Sequence, residues 1–169
     1  MDHPDPEGAD GFLADAVADA AIEERRREHW LRHRLAEAAT LHGALGGAVG
    51  AEVRLDLVTG DRLSGPLLAA GSDVLAVVVA GRITWVSLPA VVAVEVAAPV
   101  PAAGPAPGGV TMAEALAELV DTGPVRVGLL GGTVLGGEVV AVGEALTLRD
   151  AGGRTAYASV DAVVWAASA

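Results

Sequence analysis

Residues 53–94 and 125–166 are two versions of one segment, aligned without a gap at an offset of 72. Identical pairs are Val53/Val125, Arg54/Arg126, Leu57/Leu129, Gly60/Gly132, Leu63/Leu135, Gly65/Gly137, Ala69/Ala141 and Gly71/Gly143. Gly81/Gly153, Arg82/Arg154, Ser87/Ser159, Ala90/Ala162, Val91/Val163 and Val92/Val164 complete 14 identities in 42 positions. An aromatic also recurs, since Trp85 meets Tyr157. A repeat of this kind is one supersecondary unit used twice, and it constrains the architecture before any residue is assigned a role. Units of roughly 50 residues are near the lower limit for folding alone, so each gains from packing on the other or on a helix.

Within each unit the pattern predicts five short strands. Val53, Leu55 and Leu57 alternate with Arg54 and Asp56, as in a half-buried strand. Thr59-Gly60-Asp61 reads as a hairpin turn, and Gly65 marks a bend inside a second strand, 62–70. Strands at 74–79 and 82–88 follow, then one helical turn at Pro89-Ala90-Val91 and a short fifth strand, 92–96. The second unit repeats them at 125–130, 133–142, 145–149, 154–160 and 163–166. Thr111-Met112-Ala113-Glu114 has the form of a capping box before a short helix. The expected organisation is an acidic disordered start, 1–11; an N-terminal helix, 12–46; a first small barrel, 47–96; a Pro/Ala/Gly linker, 97–110; and a helix with a second barrel, 111–169.

Composition narrows the function classes. The net charge is −11, and all eleven basic residues are Arg. Such a surface repels nucleic acid and anionic membrane unless the Arg cluster. The lack of Lys and Asn beside abundant Ala, Gly and Arg is what a high-GC bacterial genome produces. There is no Cys, which removes disulfides and thiolate chemistry. The acidic start, without a signal-peptide pattern, gives a cytoplasmic expectation. The apolar run 63–81 imitates a membrane span, but Gly65, Pro66, Gly71 and Asp73 interrupt it. A buried strand pair accounts for it instead.

The order helix, five strands and a helical turn before the last resembles the Sm/LSm-like version of the SH3-like barrel. It is carried by VRLDLVTGDRLSGPLLAAGSDVL from Val53, by its copy from Val125, and by the closing segments 88–96 and 159–167. The resemblance implies two tandem five-stranded barrels, each preceded by a helix, the first helix long. The layout, with His29-Trp30-Leu31-Arg32 inside the first helix, also resembles two-barrel proteins of high-GC Gram-positive bacteria. Some of those carry a transcriptional-regulator label, but no helix-turn-helix pattern is present here. The Sm family's RNA pocket uses an Asp-x-apolar-Asn set and an Arg-Gly pair. Here Asp73-Val74-Leu75 is followed by Ala76, and Pro89-Ala90 and Asp161-Ala162 stand where Arg-Gly belongs.

Other chemistry finds little footing. His29 and His33 share a helical face with Glu37, yet this is not the His-Glu-x-x-His order of a zinc site. The Gly-rich stretch 128–137 lacks the Gly-Lys-Ser/Thr of a phosphate loop. All four His precede residue 43, and no nucleophile, base and acid form a triad pattern. The expectation is a protein without cofactor, metal or enzymatic activity: an interaction module that binds a protein or serves as a regulatory scaffold, as a monomer or dimer. Its candidate contact residues are Trp85, Tyr157, Arg82 and Arg154. The alternative is a nucleic-acid-binding regulator using Arg25, Arg26, Arg27, Arg32 and Arg34, although Glu23, Glu24, Glu28 and Glu37 are interleaved with them. A contiguous groove of Arg54, Arg82, Arg126 and Arg154 would favour that alternative.

Overall fold

The computed structural model describes residues 41–97 and 109–169, which lie within one compact unit, Thr40–Ala169. Helix α1 is Leu41–Gly47. Strands β1 (Glu52–Leu57), β2 (Arg62–Ala70), β3 (Val74–Val79) and β4 (Arg82–Ser87) follow, then a 3₁₀ turn, Leu88–Ala90, and β5 (Val91–Val96). Helix α2 is Met112–Ala117, with the capping box formed: the Thr111 hydroxyl accepts from the Glu114 N–H, and the Glu114 carboxylate accepts from the Thr111 N–H at 2.7 Å. The second unit supplies β6 (Pro124–Leu129), β7 (Val134–Val142), β8 (Ala145–Arg149) and β9 (Thr155–Ser159). A second 3₁₀ turn, Val160–Ala162, leads into β10 (Val163–Ser168).

The class is mainly β with helices, but the expected pair of closed barrels is not what forms. The ten strands make one continuous open sheet, ordered β5-β1-β2-β3-β4-β10-β6-β7-β8-β9. This overturns the Sm-like and SH3-like reading of two tandem closed barrels. Closing the first barrel would require β4 to pair with β5. The free edge of β4 is instead taken by β10 of the other unit, antiparallel, with Trp165 opposite Val86, Ala166 opposite Trp85 and Ala167 opposite Thr84. Alternation and turn residues place strands well, but they carry no information on which distant strand completes an edge.

The repeat itself is real in three dimensions. Val53 pairs with Gly65 and Val125 with Gly137. The two glycines have φ of +156° and +159°, and a Cβ on either would run into a carbonyl of the next strand, Val78 or Arg149. Only glycine fits such a position. The gapless alignment, however, is one residue out in β8. Ala69 pairs with Ala76 on β3, and Ala141 with Thr147, not Leu148, on β8. Leu75 opposes Val86, and Leu146 opposes Ala158. The structural counterparts are therefore Leu75/Leu146 and Val77/Leu148, all fully buried. Between matched positions the second unit is one residue shorter before β8 (Val142 to Leu146 against Ala70 to Leu75) and one longer after it (Asp150 to Arg154 against Val79 to Arg82), which hides the slip from a sequence comparison. The helices obey the same shorter offset: Ala48 N–H donates to Leu45 O as Leu119 N–H does to Leu116 O.

Two apolar cores result, and each borrows across the β4–β10 junction. The first contains Leu45, Val53, Leu55, Leu67, Leu75, Val77 and Val86, together with Val164 from β10. The second contains Met112, Leu116, Val125, Val127, Leu146 and Leu148, together with Val74 from β3. Helix α2 packs on both β7 and β4, and its Met112 N–H donates to the Asp73 carboxylate at 2.7 Å.

Candidate functional site: the junction groove and the free edges

Where β4 meets β10 a groove of about 410 Å³ opens, lined by Leu63, Arg82, Thr84, Arg126, Trp165 and Ser168, among others. Trp165 is held on both sides. Its indole lies over Gly128, where any Cβ would strike the ring, and its Nε1 donates to Asp61 Oδ2 at 3.3 Å. Asp61 is itself fixed by the Thr59 hydroxyl, which donates to the same oxygen at 2.9 Å. The Arg126 guanidinium stands 5.9 Å from the Trp165 ring centroid, within range of a cation–π contact. Arg82 Nη1 donates to the Ser168 carbonyl at 3.2 Å. Neither guanidinium has an acidic partner among the described residues. Thr84 is the one buried polar side chain of the described core, 4% exposed, and its hydroxyl makes no hydrogen bond there.

The four expected contact residues fare differently. Arg82 lines the groove. Trp85 lies mid-sheet, half-buried against the second core. Tyr157, its counterpart, is on the edge strand β9 and 73% exposed. Arg154 folds back on its own turn, Nε donating to Asp150 Oδ2 at 2.7 Å. The Asp150 carboxyl is held below its ordinary value chiefly by the Arg154 backbone N–H, then by the Arg154 side chain. Arg54 pairs with Glu95 at 2.8 Å. The four arginines thus do not form one groove; Arg82 and Arg126 share one, and the other two are paired with acids. Arg25, Arg26, Arg27, Arg32, Arg34, His29, His33 and Glu37 lie outside the described residues.

The sequence reading missed Arg126, Thr84 and Trp165 as one site. A signal was present: Ala93 becomes Trp165 in the second copy, and the residue that opposes it on the neighbouring strand changes from Asp56 to Gly128. A large side chain appears just where its neighbour loses one.

Among the described residues, no group of three His, Cys, Asp or Glu is placed to hold a metal ion. No described helix is long and apolar enough to cross a membrane. No family model and no curated protein sequence matches the chain.

Proposed function

We propose that the chain is a non-catalytic interaction module, and that its junction groove takes an acidic, apolar-flanked segment of a protein partner. The observation that carries this is the pair Arg82 and Arg126, both without acidic partners among the described residues, flanking an indole in a protein of net charge −11. A guanidinium binds a carboxylate through paired, charge-assisted hydrogen bonds. The Trp165 face and Leu63 offer apolar surface to the residue beside that carboxylate, and Trp and Arg are the residue types that anchor interfaces. Two arginines in an otherwise acidic surface suit one or two carboxylates better than a run of phosphates, whose binding grows with the number neutralised.

The test is a fluorescence titration of the full chain with short peptides carrying Glu or Asp beside Leu or Phe. The controls are the same peptides with Lys for the acids, oligo-U and duplex DNA. Acidic peptides are expected to bind and Lys peptides not to. Arg82→Ala with Arg126→Ala should weaken binding at least about tenfold, the equivalent of about 1.4 kcal/mol. Equal binding by the double variant, or tight binding of the nucleic acids in place of the peptides, overturns the reading.

A further inference from the structure

The junction between the two units is a heterologous contact: the β4 edge of one unit meets the β10 edge of the next. Its two halves are both present a second time, unused. Strand β9 is the counterpart of β4, strand β5 the counterpart of β10, and among the described residues these are the two strands of the sheet with an unpaired edge. We infer that the chain associates with a second copy of itself head to tail, β9 of one copy pairing with β5 of the other. The register is that of the internal junction: Ala158 opposite Ala93, Tyr157 opposite Val94, Ala156 opposite Glu95.

The burial pattern carries this. Five residues that cement the internal junction have counterparts that are exposed on a free end, whereas the counterpart of Val86, Ala158, is itself buried. Val164 on β10 is fully buried in the first core, and its counterpart Val92 on β5 is 68% exposed. Trp85 packs half-buried on the second core, and Tyr157 is 73% exposed. On the helices, Met112 is 3% exposed and its counterpart Leu41 is 42% exposed. Ala115 is buried and Ala44 exposed; Val74 is buried and Ala145 exposed. The exposed set divides correctly between the ends, with Leu41, Ala44 and Val92 on the α1–β5 end and Ala145 and Tyr157 on the β8–β9 end.

Polar groups repeat as well. Asp73, which accepts from the start of α2, corresponds to Glu144: Leu88 N–H donates to Asp73 O just as Val160 N–H does to Glu144 O. The junction groove has half a counterpart, a depression of about 290 Å³ lined by Leu135, Arg154 and Ala156, which correspond to Leu63, Arg82 and Thr84. The missing wall is what β5 of a second copy supplies, and it brings Glu95 next to Arg154. Unpaired strand edges recruit another strand unless something blocks them, and neither β5 nor β9 carries a proline within its span. A head-to-tail contact ends only by closing into a ring, and otherwise continues as an open chain.

The inference does not depend on what the groove binds. It is tested in the full chain, whose lack of Cys makes single-cysteine variants clean reporters. Ala93→Cys and Ala158→Cys chains are mixed and oxidised. A covalent dimer of one with the other is expected, at least about tenfold over either variant alone, since only the mixture places two thiols opposite each other within disulfide reach. Light scattering of the unsubstituted chain at micromolar concentration should give two or more copies. Val92→Arg or Tyr157→Arg should raise the dissociation constant at least about tenfold while leaving circular dichroism unchanged. A monomeric mass with no mixed dimer overturns the inference, including the case in which residues 1–40 of the same chain cover these ends. Cross-linking of Ala158→Cys with itself, the mark of a symmetric β9–β9 pair, overturns it too.

Discussion

Strands β4 and β9 are the same strand of the repeat, and they live in opposite surroundings. β4 lies between β3 and β10, and its Trp85 packs on the core of the other unit. β9 has β8 on one side only, and its Tyr157 projects from the edge. The same contrast separates β10 from β5, as Val164 and Val92 show. Nothing within either strand sets its burial. Position in the order of units does so, because a repeat buries its flank only where a neighbour follows.

The sharpest way to break this comparison is to place the same charge on both sides of it. Val164→Asp sets a carboxylate in the first core and should lower the free energy of unfolding by about 3 kcal/mol or more. Val92→Asp, its counterpart, should change the stability of the dilute chain by no more than about 0.5 kcal/mol. Urea unfolding of the two variants decides; equal losses would mean that β5 is covered after all.

Glycine substitutions test the opposite claim, that some positions are equivalent despite the contrast. Gly65→Ala and Gly137→Ala each force a Cβ toward a neighbouring carbonyl at a φ that L residues avoid. Each should cost about 2 kcal/mol or more, by similar amounts in the two units. A tolerant Gly137→Ala beside a damaging Gly65→Ala would show that the bend matters only where the unit is enclosed.

The smallest effect lies in acid. The Asp56 carboxyl is held below its ordinary value of 3.8 mainly by the hydrogen bond from Arg62, and Asp150 is lowered by the Arg154 backbone and side chain. A carboxyl depressed by folding contributes stability that is complete above its unfolded value and is lost as pH falls through the folded one. Both units should therefore lose a little stability below pH 3.8, less at high salt because these groups are exposed. Asp56→Asn and Asp150→Asn should each flatten part of that slope in a chemical-denaturation series. A slope unchanged by both would assign the acid sensitivity elsewhere.

Much of the local structure was legible in the residues. Glycine and Asp turns, period-two alternation and the Thr111–Glu114 box place nearly every described element within a residue or two of where it lies. Those signals are local, and so is the physics behind them. The choice of β10 over β5 as the partner of β4 is made between residues some 80 positions apart, by packing that no periodicity reports. The one-residue slip in β8 escaped because two compensating turn lengths restore the alignment beyond it. Of the four arginines named for a shared groove, Arg82 and Arg126 line one, while Arg54 and Arg154 lie against acids that only proximity reveals.

Trp165 on Gly128 has a consequence for inheritance. An assembly of identical single units must use one sequence for both sides of every contact, so no indole could appear at one junction without appearing at all of them. Joining two units in one gene removes that restriction. The second unit can then carry Trp165 and Gly128 where the first carries Ala93 and Asp56. The chain thereby holds within itself one junction that carries an indole, while the corresponding position on β5 is the alanine Ala93.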